Sequence, residues 1–363
     1  MTIAIELGAF ALRSLRRRGD ELVARSCRTI AASVKDNESR RRLLQVAQVP
    51  YLMAEDYLVL PGDWAVEAIA LFETLPRALL PGGEIPKADP VSRQVLSILV
   101  EGLLPWSEHR QEVCCFVQPG HGQIPVDSNP DLDLRLAFFS RLIRLRGYEP
   151  LPLNPATGLV LAELRRAGFS GVGLMLGASG CDVAIVHCGH QLACGRLARG
   201  GAWIDEQLAR RTKSFRRDAL GELVLDTDGA RLRKEAAALD RHTDDDRLVT
   251  ALYRNLIAEF IEVMCETLAS NPRVPLLPQP LPIVCSGGPA QIAGFSELFR
   301  SELDRQPLSV SLGTPRVVAD QAYTVVRGCL IRAELEQSVA RQIKPAQLRR
   351  PRNGAAGARE RRA

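Results

Sequence analysis

Residues 171–204 read GVGLMLGASGCDVAIVHCGHQLACGRLARGGAWI, and the fold turns on how they are understood. An apolar run, Gly171 to Leu176, enters the turn Gly177-Ala178-Ser179-Gly180. A second apolar run reaches a tight hairpin at Cys188-Gly189-His190, and a third strand follows. Gly200-Gly201 then hands over to a helix expected from near Asp205. Small residues leave the backbone of such a turn bare, so its N–H groups can come close to an anion. Taken alone, the stretch is equally a β-hairpin with a glycine-rich bend, and partners elsewhere in the chain must decide.

The chain opens with the same parts in the same order. TIAIEL (2–7) reads as an apolar strand ending at Gly8, and AFALRSL as a second strand reaching a turn at Arg18-Gly19-Asp20. ELVARSCRTIAAS (21–33) then reads as a single third strand. One supersecondary pattern at the start of each half indicates an internally duplicated fold. A third glycine-bearing unit, PIVCSGGPAQIAGFSELFRSEL (282–303), stops an apolar strand at Gly287-Gly288 before a helix.

Between these units the signals are those of an α/β chain. Residues 36–110 carry short strands and two helical stretches and read as an inserted subdomain. VCCFVQPG (113–120) is a buried-type strand, and 131–147 an amphipathic helix. Asn154-Pro155 places an N-cap residue before a proline at the first helical position, a strong start for ATGLVLAELRRAG. After the acids Asp244-Asp245-Asp246 a long helix carries Leu248, Leu252, Leu256, Phe260, Met264 and Leu268 on one stripe, which is core. LSVSLG (308–313) reads as a strand and 320–336 as a final helix.

With 363 residues, 46% of them hydrophobic and 25% charged, the chain has ample core for two lobes. The net charge of +5 is unevenly placed: residues 341–363 hold eight basic side chains against Glu360 alone. A basic tail on a near-neutral body gives no basic groove, so specific nucleic-acid binding is not expected. The tail reads as disordered, with docking to a partner protein or an anionic membrane as its functional alternative. Nine cysteines without a C-x-x-C pair fit reduced thiols. The N-terminus lacks the order of a secretory signal, and no apolar run reaches the ~18 residues needed to span a bilayer. The expected location is cytoplasmic.

IELGAFALRSL, LMLGASGCDVAIV and IVCSGGPAQIAGF, in this order, resemble the actin-like ATPase superfamily. The resemblance is nearest to the bacterial actin homologue MreB and extends to the heat-shock chaperone ATPase domains. It implies an α/β, ribonuclease H-like duplicated fold of two lobes with a nucleotide cleft between them. Residues 1–170 would form the first lobe and 171–336 the second, with a helical insertion at 206–271 and a returning C-terminal helix; 337–363 would be the tail. ATP with Mg²⁺ is the implied cofactor and self-association the implied partnership. Gly8, Ala9 and Phe10 fall on the first phosphate turn, and Gly177, Ala178, Ser179 and Gly180 on the second. Gly200 and Gly201 fall where strand hands over to helix, and Gly287, Gly288 and Pro289 beside adenine and ribose. Arg233 and Glu235, in ARLRKE, are the implied pair near the adenosine.

The departures from the family pattern fall on the chemistry. The first-turn Asp is Glu6, the second-turn Asp is Met175, and the Glu that orients water in MreB-like proteins is Asn154. Asp182 keeps an acid beyond the second turn. Since phosphoryl transfer rests on positioning metal, phosphates and nucleophile, these changes imply a divergent MreB-like scaffold, a weak nucleotide binder or pseudo-ATPase of cytoskeletal, cell-shape type. The alternatives are an active ATP-hydrolysing filament protein, with Glu6 and Asp182 holding the metal through water, and an adaptor docking through its tail. Cys181, His187, Cys188, His190 and Cys194 cluster in sequence but match no zinc spacing, so no metal centre is assigned to them.

Overall fold

The computed structural model describes residues 2–109, 111–118, 134–217, 222–241, 243–319 and 322–347. The chain begins with β1 (Thr2–Leu7), β2 (Ala11–Arg18) and β3 (Glu21–Arg28), an antiparallel meander. It then builds β4 (Ile30–Lys35), α1 (Glu38–Val46), β5 (Leu52–Ala54), β6 (Tyr57–Pro61), α2 (Trp64–Phe72) and β7 (Arg77–Ala78). These four strands make a separate sheet, ordered β5-β6-β4-β7, over a small core around Val34, Leu44, Leu58 and Ala68. The chain returns through α3 (Pro90–Leu103), β8 (Val113–Val117), α4 (Leu134–Leu145) and β9 (Glu149–Pro152). β8 pairs parallel to β1 and β9 parallel to β8, giving a five-stranded sheet in the order β3-β2-β1-β8-β9.

The second half repeats this plan. After α5 (Pro155–Glu163) come β10 (Gly171–Leu176), β11 (Cys181–His187) and β12 (His190–Leu197). α6 (Gly201–Arg211), β13 (Phe215–Arg217), β14 (Leu223–Leu225), α7 (Thr227–Ala236) and α8 (Asp244–Ala269) follow. β15 (Ile283–Ser286), α9 (Phe295–Leu303), β16 (Arg316–Val317) and α10 (Thr324–Gln347) complete it. Its sheet runs β12-β11-β10-β15-β16, with β15 parallel to β10 and β16 parallel to β15. The two central strands, β1 and β10, each have one antiparallel and one parallel neighbour and are buried on both faces, so their sequences are near-continuously apolar rather than alternating. This is the duplicated two-lobed α/β fold that the resemblance implies.

Local chemistry accounts for the helix starts. Asn154 caps α5 by accepting from the amides of Ala156 and Thr157, and Thr243 caps α8 through the amide of Asp246. The α8 stripe from Leu252 to Leu268 is buried in the second lobe's core, as its spacing requires. Asp246 is buried as well, and its carboxylate accepts from the Ala238 amide at 3.1 Å.

Four expectations need correction. The single strand at 21–33 divides at Thr29, so β3 stays in the first sheet while β4 enters the small one. Thr29 is buried there, and its hydroxyl donates to the Gly8 carbonyl at 2.7 Å. LSVSLG forms no strand; Leu312 makes an isolated bridge to Leu281, Val310 packs into the core, and the edge position is taken by β16. α6 begins at Gly201 rather than near Asp205, because the second turn itself accepts its first amides. α10 runs past Glu336 to Gln347; the rest of the basic tail lies outside the described residues. Among the described residues no helix is long and apolar enough to cross a membrane.

α5 and α10 lie between the lobes. At their crossing Gly328 meets Gly158 so closely that a Cβ on Gly328 would overlap the Gly158 carbonyl. One face of α10 (Val325, Val326, Cys329, Leu330, Ala333) covers Ala4, Leu15, Cys115 and Val117 of the first sheet. Met175, at the end of β10, packs against this cluster and also against the α5 side of the second sheet.

Candidate functional site

The turns that follow the two central strands are closed in the same way. The Gly8 amide donates to the Ala11 carbonyl at 3.1 Å, and the Gly177 amide to the Gly180 carbonyl at 2.8 Å. In each, the two residues between (Ala9 and Phe10, Ala178 and Ser179) have amides with no backbone acceptor among the described residues. Bare amides in a tight turn are the elements of an anion-binding concavity. The glycine carbonyls face away from that role. Gly8 accepts from Thr29 Oγ1 and Gly177 from the Gly201 amide at 2.9 Å, while the Ala178 carbonyl takes the Ala202 amide at 2.9 Å.

The glycine pairs are where they are because backbones meet. A Cβ on Gly200 would overlap the Gly177 carbonyl and sit 2.7 Å from the Gly180 nitrogen. Gly287 has φ +111 and lies against the Leu176 carbonyl, where a Cβ would overlap it. Gly288, by contrast, is exposed with open space at its Cβ position. Gly201 lies beside Pro289 and the Lys234 ammonium, each within 3.4 Å of a Cβ built there. The structure therefore gathers Gly177–Gly180, Gly200, Gly201 and Gly287–Pro289 into one corner of the second lobe.

Three acid–base pairs, two of them largely buried and the Glu6–Arg13 pair half-buried, surround these turns. Glu6, on β1, faces Arg13 across the β1–β2 ladder, with a guanidinium N–H donating at 3.3 Å. Asp182, just past the second turn, receives Arg196 Nη1 on both carboxylate oxygens at 2.8 Å. Asp205, on α6, pairs with Lys234 Nζ at 2.6 Å, and the same ammonium donates to the Gly201 carbonyl at 3.2 Å. Burial pushes all three carboxyls above their ordinary range, and each basic partner pulls back against that shift.

Other implied residues sit differently. Arg233 pairs with Asp245 at 2.6 Å and Glu235 is exposed, so the residue of α7 that turns toward Gly201 is Lys234. Arg231, one turn earlier, reaches the first lobe's turn, its guanidinium carbon 5.4 Å from the Phe10 ring centroid. Asn154 uses its side-chain oxygen as the α5 cap, and Met175 is a thioether between two hydrophobic clusters. A cavity of about 260 Å³ beside the start of α5 is lined by Leu151, Asn154, Thr157, His190, Gln191 and Arg332 among others. None of the turn glycines 8, 177 or 287 borders it. In the Cys/His cluster, Cys181 is buried, while Cys188 and His190 lie exposed at the hairpin tip.

Lys234, Asp205 and Arg196 were missed from sequence as members of this region. The hairpin offered a signal for Arg196, which lies across from Asp182. Counting back from the His187–His190 closure places Gly195 there instead, and a bulge at Ile185/Val186 shifts the register by one.

The Volactin family model matches residues 1–333. A search of curated proteins gave no match. Among solved structures, MreB 5 of Spiroplasma citri bound to AMPPNP is similar at TM-score 0.64 and 13% identity, covering 95% of this chain and 98% of that one. The same protein bound to ADP gives 0.62 and 14%, covering 94% and 98%. The MamK double helical filament gives 0.63 and 18%, covering 92% and 99%. At these identities the likeness is one of fold, and the fold is the actin-like one.

Proposed function

The chain belongs to the Volactin family, and we propose on that footing that it is an actin-fold scaffold whose interlobe cleft holds a nucleotide without turning it over efficiently. The observation that carries this reading is the matched pair of turns, closed by the same bond and each presenting two unpaired amides. A nucleotide fits such a site, its phosphates lying against bare amides in the way helix and turn N-termini receive anions. The solved neighbours bound to AMPPNP and ADP support a nucleotide as the ligand class, with ATP the expected one.

Hydrolysis needs a positioned water and charge neutralisation. Asn154 stands where the water-orienting acid is expected, and its carboxamide oxygen is already held by two amides at the head of α5. Met175 supplies no oxygen. Self-association is the expected working state, supported by the filament formed by MamK, and lobe closure on the nucleotide is the expected motion. That filament also favours the second reading, an active ATP-driven polymer. In either case the basic segment 341–363 is the part of the chain expected to dock a partner protein or an anionic membrane.

Calorimetric titration with ATP, phosphate release at saturation, and sedimentation with and without ATP test the proposal together. Saturable binding with turnover slower than about one per hour is the expected result, against typical kcat values of 1–10³ s⁻¹. Turnover near that typical range that disappears in Glu6→Ala or Asp182→Ala would establish the active-polymer reading instead.

A further inference from the structure

We infer that the cleft takes its nucleotide free of a divalent metal, with Arg231 supplying the positive charge at the phosphates. The inference rests on the nucleotide reading above and departs from the Mg²⁺ that the fold family implies. Mg²⁺ requires hard oxygen ligands, with one or two carboxylates beside the phosphates. The residues present do not fit it. Glu6 is engaged by Arg13 at 3.3 Å, Asp182 by Arg196 on both oxygens at 2.8 Å, and Asp205 by Lys234 at 2.6 Å. Met175 offers only a soft sulfur, and among the described residues no three His, Cys, Asp or Glu side chains form a metal-ligand set. Turning Asp182 toward a metal would strip Arg196, whose side chain is only 14% exposed, of its partner.

Each of the three pairs cancels its own charge, and Arg231 stands outside them, with its neighbour Asp228 held more closely by Arg216 at 2.9 Å. Its guanidinium stands over Phe10 of the first turn, yet it is rooted in α7 of the second lobe. Its Nε is buried and has no hydrogen-bond partner among the described residues, and its ion pair to Asp228 is long, at 3.7 Å. It is close enough to Asp205 to act on that carboxyl. A planar guanidinium whose Nε–H is unclaimed matches phosphate oxygens in a way an ammonium cannot. Beside it lie the unpaired amides of Ala9 and Phe10. Anion binding by amides and a guanidinium needs no metal bridge between phosphate and carboxylate.

The test is ATP binding to the full-length protein, measured calorimetrically in Mg²⁺ buffer and in excess EDTA. The expected dissociation constants agree within about tenfold, whereas Arg231→Met weakens binding by about tenfold or more in EDTA. Arg231→Lys, which keeps the charge and loses the fork, falls between. Glu6→Gln binds as well as the parent or better, because it removes a negative charge beside the first turn. Thermal melts confirm that each variant is folded. A loss beyond about tenfold on chelation overturns the inference. So does an Arg231→Met protein that binds like the parent, or a Glu6→Gln protein that loses affinity only in Mg²⁺. Absence of ATP binding in both buffers removes the nucleotide reading itself, and the inference with it.

Discussion

The first turn and the second turn share a closing bond, yet their surroundings hold them very differently. Around the second, Gly200 presses on the loop backbone, the Gly201 and Ala202 amides grip its carbonyls, and both Asp182 oxygens accept from Arg196 Nη1. Around the first, Thr29 holds the Gly8 carbonyl through its hydroxyl and the Phe10 carbonyl through its amide at 3.1 Å, but Glu6 meets Arg13 through a single 3.3 Å contact and Phe10 is 48% exposed. Duplication supplied one geometry; the neighbours clamp the acid beside the second turn more tightly than the acid beside the first.

The sharpest way to break that contrast is to remove the two acids in turn. Asp182→Ala leaves Arg196 buried and unpaired and should cost about 3–5 kcal/mol. Glu6→Ala should cost about 1–2 kcal/mol, because Arg13 is more exposed and more loosely bound. Urea unfolding of both variants checks this, and equal losses would show the two turns to be equally fixed.

A smaller effect is expected from glycine. Gly200→Ala forces the second turn off the start of α6 and should destabilise by about 1–3 kcal/mol, while Gly288→Ala, which meets open space, should stay within about 0.5 kcal/mol. A neutral Gly200→Ala protein would refute the backbone-contact account of that glycine.

The smallest is a pH dependence. Burial raises the folded-state pKa of Glu6 above its ordinary value of 4.5, so the folded protein binds the proton more tightly than the unfolded chain. The resulting stabilisation is fully present below pH 4.5 and is lost as pH rises through the folded value. Glu6→Gln removes this component, so the parent's stability relative to the variant should decline from pH 4.5 upward. A constant difference between the two stability–pH curves would mean that Glu6 titrates alike in both states.

The duplicated fold was legible because it is written in features the backbone enforces: continuous apolar central strands, glycine at each tight turn, and Asn-Pro at a helix start. The failures have equally local causes. LSVSLG alternates as a strand should, but its apolar positions serve packing in the second lobe rather than a ladder. Arg233 and Lys234 are indistinguishable in sequence because neighbours on a helix point about 100° apart, and only the packing of α7 on α6 fixes that Lys234 faces Gly201. Arg196 was hidden by a one-residue bulge. Side-chain destinations set by tertiary packing leave no periodic trace for a sequence reading to find.

The covering of the first sheet by α10 has a consequence for how the protein is made. The fully buried side chains that cover Ala4, Leu15, Cys115 and Val117 are Val325, Val326, Cys329, Leu330 and Ala333, which are made late in synthesis. At the usual ribosomal rate, the interval between synthesis of Val117 and of Ala333 is on the order of ten to forty seconds. Throughout it, one face of the first lobe stays uncovered and open to chaperones or to aggregation, while the second lobe can complete its own large core around α8. Nascent chains stalled before residue 325 should therefore expose a sticky first lobe, and release of the last helix is the event that seals it.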